Sequence, residues 1–231
     1  MSPCEPRACW PTQVRAQSRM TPGNIHAYLA GPDVFYPDAF IEKGARKKAI
    51  CDEHGIVPHF PLDNEVALPV DASLESRRAF GLEIGKANEE MMLGCLKDSC
   101  DHAVILFNMR PWHGPSLDVG TAFEVGFRSA LAKLYPGRVL IVGYTTDARS
   151  FHERIVNEYY RHRFENHALD VSPEMGATGP DKCHVENFGL SDNLMIEHAV
   201  HKTGGKIFQD DEELEAFRLA VTFASAHISG V

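Results

Sequence analysis

Two carboxylates at the front of one helical segment carry the first chemical signal. In "SLDVGTAFEVGFRSALAK" (116–133), Asp118 stands where the chain turns into a helix and Glu124 follows in the second turn. Val119, Ala122, Phe123, Gly126, Phe127, Ala130 and Leu131 recur at helical spacing, which predicts a stripe packed on a core. Neither acid belongs to that stripe. At a cleft, one carboxylate can attack an anomeric carbon or stabilise an oxocarbenium-like centre while the other handles the leaving group's proton, so the pair points to chemistry on a glycosidic carbon. Asp118 reads equally as a helix N-cap, accepting from a backbone N–H two or three residues on. Gly120-Thr121 beside it would let backbone or substrate approach closely. Glu124, near the positive end of the helix dipole, is expected to be ionised and to serve as nucleophile or base.

The surrounding pattern must position that helix. Strand-like runs occur at "HAYLAG" (26–31), "IVPHFP" (56–61), "HAVILFN" (102–108), "RVLIVGYT" (138–145) and "GKIF" (205–208), with helix-length segments at about 37–54, 73–99, 118–134 and 211–227. "HAVILFN" and "RVLIVGY" lack polar alternation, as strands covered on both faces do. Alternating strands and helices predict an α/β fold, a doubly wound, mainly parallel five-stranded sheet with helices on both faces. Ligands of such sheets bind beyond the carboxyl ends of the strands. The informative loops are therefore "GPDVFYPD", "PLDNEV" and "NMRPWHGPSLDVG". A long stretch, 145–185, is expected to hold a helix around 148–163 followed by irregular chain, and reads as an inserted lid-like segment of a single domain spanning 25–231. Residues 1–24, with four prolines, three arginines and one acid, read as a flexible N-terminal extension.

Composition narrows the partners. The 231 residues suit one substantial core, and a net charge of −9 argues against polymeric nucleic acid or an anionic membrane as partner. No apolar run reaches the length of a membrane span. The six cysteines (Cys4, Cys9, Cys51, Cys95, Cys100, Cys183) form no CxxC pair and read as reduced thiols of a cytoplasmic protein. "AGPDVF" lacks the glycine and lysine pattern of a phosphate loop. Phe35 in that loop fits either a core position or a stacking platform for a base. His102, His113, His184, His198 and His201 show no metal-site spacing, so no metal is expected.

Four motifs in order, "YLAGPDVF", "PLDNE", "DVGTAFEVGFRSAL" and "VENFGLSDNLMI", resemble the nucleoside 2-deoxyribosyltransferase family over roughly residues 25–225. The resemblance implies a flavodoxin-like fold and transfer of a 2-deoxyribosyl group from one nucleobase to another, without a cofactor, in nucleoside salvage. It implies Glu124 as the nucleophile of a covalent deoxyribosyl-enzyme, and Asp118 as the group that binds sugar hydroxyls and assists proton transfer. Tyr28, Gly31, Pro32 and Phe35 would line the sugar and base pocket, with Gly120 beside them. Asn193, Leu194 and Met195 would reach a neighbouring subunit's site, which implies a homo-oligomer with shared sites. The family's polar residue ahead of the third strand has no clean counterpart. Counting back from Asp101 selects Leu93, whereas matching "KANEEM" selects Asn88, with Glu89 and Glu90 as rivals. Two other functions stay open. An N-glycoside hydrolase acting on deoxynucleosides or their 5′-monophosphates would consume substrate without free base; "GPDVFYPD" offers no anion contacts and adds two acids, Asp33 and Asp38, which favours an uncharged nucleoside. A non-enzymatic nucleoside sensor would bind without turnover.

Overall fold

The uninterrupted apolar run from His102 to Asn108 forms the middle strand of a five-stranded sheet, covered on both faces as its composition demands. The computed structural model describes residues 25–64, 66, 73–97, 100–163, 170–172, 176–179 and 181–230. The expected N-terminal extension, 1–24, lies outside the described residues. β1 (Ile25–Ala30) leads through a tight turn at Pro32–Phe35 and a π-helical turn at Ala39–Gly44 into α1 (Ala45–Glu53) and β2 (Ile56–His59). α2 (Leu74–Gly94) precedes β3 (His102–Asn108), and α3 (Val119–Leu134) precedes β4 (Val139–Thr145). Next come α4 (Phe151–Arg154), α5 (Tyr160–Arg163), β5 (Asp170–Ser172), β6 (Gly176–Thr178) and β7 (His184–Val185). α6 (Leu194–His201), β8 (Ile207–Gln209) and α7 (Glu213–Ser229) follow.

The strand order is β2-β1-β3-β4-β8, with every neighbouring pair parallel. Parallel neighbours require crossovers, and the intervening helices supply them on both faces. This is the expected doubly wound, flavodoxin-like arrangement. From β1 the chain moves outward to β2, then crosses back to β3 and proceeds the other way. The switch point therefore lies between β1 and β3, and a crevice opens beyond their carboxyl ends. Gly31 and Asn108 meet there so closely that a Cβ on Gly31 would come within 2.7 Å of Asn108 Cβ. With φ at 153° as well, the position suits only glycine.

Alternation along the strands sorts the core into two layers. Ala27, Leu29, Val104, Leu106, Leu140 and Val142 pack with Ile50 of α1 and Phe217 and Val221 of α7. Tyr28, Ala30, Ile105, Phe107 and Ile141 pack with Met92 of α2, Val125 of α3 and Val200 of α6. The carboxylate-bearing helix thus belongs to the second layer.

Several expectations need correction. The stripe read on α3 is only in part its buried face: Leu131 is buried and Ala122 and Phe127 pack against the core, but Val119 is 84% and Phe123 59% exposed. Thr121, Val125, Arg128 and Leu131 are the buried positions. Hydropathy passes over Thr121 and Arg128 because they are polar, although the backbone turns them inward. The segment 37–54 divides into the π-helical turn and α1, and 73–99 stops at Gly94. The stretch 145–185 does hold helical turns over 151–163, but its remainder carries an antiparallel sheet, β5-β6-β7, where irregular chain was expected. α6, beginning at Leu194, was not anticipated as a helix at all. No helix among the described residues is long and apolar enough to cross a membrane.

Candidate active site

Tyr28 sits on the α3-facing side of β1, fully buried, and its hydroxyl donates to Glu124 Oε1 at 2.5 Å. The bond joins the middle of the sheet to the second turn of α3. Desolvation pushes the Glu124 pKa up to about 7; the Tyr28 hydrogen bond pulls it down, the Asp118 charge pushes it up, and Arg128, one turn further along the helix, pulls it down. The helix dipole alone therefore does not hold Glu124 ionised, because burial outweighs it. Near neutral pH the group exists in both forms, suited to act either as nucleophile or in proton transfer. The Tyr28 phenol is pushed far above its ordinary range, chiefly by burial and next by Glu124, and remains a donor.

Asp118 combines the two roles that its position left open. Its Oδ2 accepts from the Thr121 backbone N at 2.9 Å and from Thr121 Oγ1 at 3.1 Å, which makes it the N-cap of α3. No hydrogen bond among the described residues engages its Oδ1. A Cβ at Gly120 would come within 3.0 Å of the Asp118 carboxylate, so the small residue leaves that carboxylate room.

The loop that carries Asp118 is held from a distance. Buried Asp192 accepts from Ser116 Oγ at 2.5 Å, from Leu117 N at 3.0 Å and from Asn193 N at 2.8 Å. Arg154 of α4, also buried, lies 3.3 Å from Asp192 and donates to Pro115 O at 2.6 Å, to Arg149 O at 2.7 Å and to Ser191 O. One buried ion pair thereby ties α4, the 115–118 loop and the start of α6 together.

A second buried network fixes the loop after β1. Lys47 stands 2.9 Å from Asp33 Oδ1 and 2.8 Å from Glu213 Oε1, and donates to Tyr144 Oη at 2.8 Å. Asn108 Nδ2 donates to Asp33 Oδ2 at 3.4 Å. Burial alone would raise the Glu213 pKa, yet Lys47 and Lys43 hold it down to about 2. Asp33 is therefore committed to the fold, and its acidity does not select an uncharged ligand as the sequence suggested. Pro32 is buried with it, whereas Phe35 is exposed and stacks on Trp112 at 5.5 Å between ring centroids. That settles Phe35 as an aromatic face outside the core, paired across the crevice's two loops.

Among the described residues, the remaining expected ones make no hydrogen bond to either carboxylate. Asn88, half-buried on α2, accepts from Asn64 Nδ2 at 3.4 Å, which links α2 to the "PLDNE" loop. Glu89, Glu90 and Leu93 are exposed. Asn193 caps α6 by accepting from Met195 N at 3.0 Å, and the Met195 side chain is 64% exposed. Among the described residues no three His, Cys, Asp or Glu side chains gather as metal ligands would.

Four contributors escaped the sequence reading: Arg128, Trp112, Asp192 and the pair His26–His59. The two imidazoles stack with Nδ1 of His26 2.8 Å from Nε2 of His59, and burial, His26 and Arg128 hold His59 below the ordinary imidazole range. Only Trp112, an aromatic in a glycine- and proline-rich strand-end loop, carried a signal that could have found it.

A family model of the nucleoside 2-deoxyribosyltransferases matches residues 27–195, well over half of the chain and every strand-end loop just described. The chain belongs to this family. Among solved structures, the 2-desoxiribosyltransferase from Leishmania mexicana is similar over 86% of this chain and 97% of its own, at 26% identity and a TM-score of 0.51. A conserved protein from Enterococcus faecalis V583 matches at 18% identity and a TM-score of 0.45, covering 84% of this chain and 98% of its own. The uncharacterised protein C191.05c of Schizosaccharomyces pombe is 29% identical over 207 residues, covering 87% of this chain and 89% of its own. For a deoxyribosyltransferase family member, the conjunction of Tyr28 on β1 with Asp118 and Glu124 of α3 is the arrangement to interpret chemically.

Proposed function

We propose that the protein transfers the 2-deoxyribosyl group of a 2′-deoxynucleoside from one nucleobase to another, in nucleoside salvage. The observation that carries this reading is the largely desolvated carboxyl group of Glu124, held by Tyr28 from within the parallel sheet and flanked by Asp118. In the first step a Glu124 carboxylate oxygen bonds to C1′ as the C1′–N bond breaks. The bond's electron pair leaves on the base nitrogen, which takes up a proton with the help of Asp118. In the second step a nitrogen of the incoming base attacks C1′, the ester bond returns its electrons to Glu124, and the incoming base gives up its N–H proton. Two inversions give net retention. Lacking a 2′-hydroxyl to withdraw electrons, the sugar forms an oxocarbenium-like centre with little assistance.

The Phe35–Trp112 pair supplies an aromatic face on which a planar base can stack. The 145–185 segment, moored through Arg154 to Pro115 and Ser191, is read as the lid that limits hydrolysis of the ester. Exposed Val119, Phe123, Leu194 and Met195 lie on α3 and α6, which pack together, and support a second copy of the chain completing the site with Asn193 and Met195. The test is to mix a deoxynucleoside with a different free base and identify the products. Exchange that disappears in Glu124→Ala is expected. Consumption of deoxynucleoside without any free base would make the protein a hydrolase, and binding without turnover would make it a sensor.

A further inference from the structure

Arg128 is fully buried, yet none of its three side-chain nitrogens has a well-formed hydrogen bond among the described residues, and the side chain that acts on it most is the thiol of Cys95. A guanidinium stays charged in proteins, so this is a buried cation without the neutralising fork of hydrogen bonds that usually accompanies one. Such a group is costly unless a charge of opposite sign lies within reach.

The groups that act on it are few. Cys95, at the end of α2, Tyr28 on β1 and Glu124 on α3 influence the guanidinium, and it in turn acts on His59 of β2. Burial raises the Cys95 thiol, and Tyr28 is raised further, so both are neutral at physiological pH. His59 is depressed and neutral too. Asp118 faces Glu124 from the helix start, and its carboxylate is engaged by Thr121. Among the described residues, Glu124 is left as the one anion that acts on Arg128. The two residues are four apart on α3 and therefore project from the same side of the helix.

We propose that Arg128 is a positioning residue: its guanidinium is the buried counter-charge of the Glu124 carboxylate, and its loss of that partner on glycosylation drives the covalent intermediate onward. The second half rests on the transfer reading above; the first does not. When Glu124 becomes an ester its negative charge disappears, and Arg128 is left buried and unanswered. Release of the carboxylate in the second step restores the pair. Arg128 thereby shortens the life of the ester relative to a site without the cation, opposing the burial that favours an uncharged Glu124.

The experiment titrates Glu124 by carbon-13 NMR of glutamate-labelled protein, with wild type, Arg128→Met and Arg128→Lys compared. The Met variant is expected to raise the Glu124 midpoint by about one pH unit or more, and Lys to restore much of the shift. An unchanged midpoint in the Met variant overturns the proposal. Should Arg128→Met fail to fold alone, Glu124→Gln and Glu124→Gln/Arg128→Met are compared at about pH 8. The double variant is expected to melt at the higher temperature, because it discards an unanswered buried cation; a lower melting temperature overturns the proposal. Mass spectrometry of quenched turnover mixtures then reads the ester on Glu124, which should accumulate several-fold more in Arg128→Met. If wild type forms no ester, the transfer reading falls while the titration still decides the counter-charge.

Discussion

The Tyr28 hydroxyl and Glu124 Oε1, 2.5 Å apart, join β1 to α3 across 96 residues of sequence. Tyr28→Phe removes the donor and keeps the ring that fills the core. A hydrogen bond to a charged acceptor is worth about 1.5–3 kcal/mol, so base exchange should fall by roughly 10- to 100-fold. The Glu124 pKa should also rise, since the bond favours the carboxylate. Initial rates of exchange measured across pH report both effects, and wild-type rates throughout would make the contact incidental.

The raised Glu124 pKa has opposite consequences for activity and stability. Only the ionised form can attack, so kcat/KM should climb toward about 7 and level off above it. For stability, the folded pKa of about 7 lies above the ordinary carboxyl value of 4.5. Between these values the folded protein holds a proton that the unfolded chain has released. The stabilisation is therefore complete below the unfolded pKa and is lost as pH rises through the folded one. Glu124→Gln, which cannot ionise, should match wild type in acid and melt at a higher temperature than wild type above about pH 7. Calorimetric melting curves for the two proteins across that window check it; parallel curves would show that Glu124 titrates as an ordinary exposed acid.

How much of this was legible in the sequence depended on the kind of signal. The sheet could be read because covered parallel strands such as 102–108 and 139–145 have no polar alternation to confuse them. Asp118 and Glu124 stood out because they interrupt a helical repeat beside a glycine. Arg128 did not, because an arginine between apolar residues reads as surface, and only the rotation of α3 about its axis buries it. That rotation is set by contacts with β3, β4 and α6, which periodicity within one helix does not contain. Asp33 was visible as an acid, but its buried partner Lys47 lies on the next helix, so its role could not be inferred locally.

Lys47 bridges buried Asp33 and half-buried Glu213, so removing it leaves these two carboxylates with the more exposed Lys43 as their remaining cation. Lys47→Met should cost about 3–5 kcal/mol, the usual penalty for breaking a buried pair from one side. A smaller denaturation midpoint is expected in urea, accompanied by weaker binding because the Gly31–Phe35 loop loses its anchor. The network also sets an acid limit. Glu213 is depressed from 4.5 to about 2, so its contribution is present above the unfolded pKa and fades as pH falls through the folded one. Wild type should lose stability over that acid window, and Glu213→Gln should show a flatter profile there. Equal profiles would place the acid sensitivity elsewhere.

The apolar face of α3 that points away from the core asks for a cover. Phe123 there is 59% exposed and Met195 on α6 is 64% exposed, and the two helices pack side by side. If a second copy covers this face, light scattering should return a multiple of the 25.7 kDa chain mass. Phe123→Ser together with Met195→Ser should lower that mass toward the single chain with little change in the monomer's own melting behaviour, because neither side chain is buried in it. Base exchange should fall in step with assembly and recover as protein concentration is raised. A fully active wild type at the single-chain mass would remove the shared-site reading and leave the exposed face to another partner.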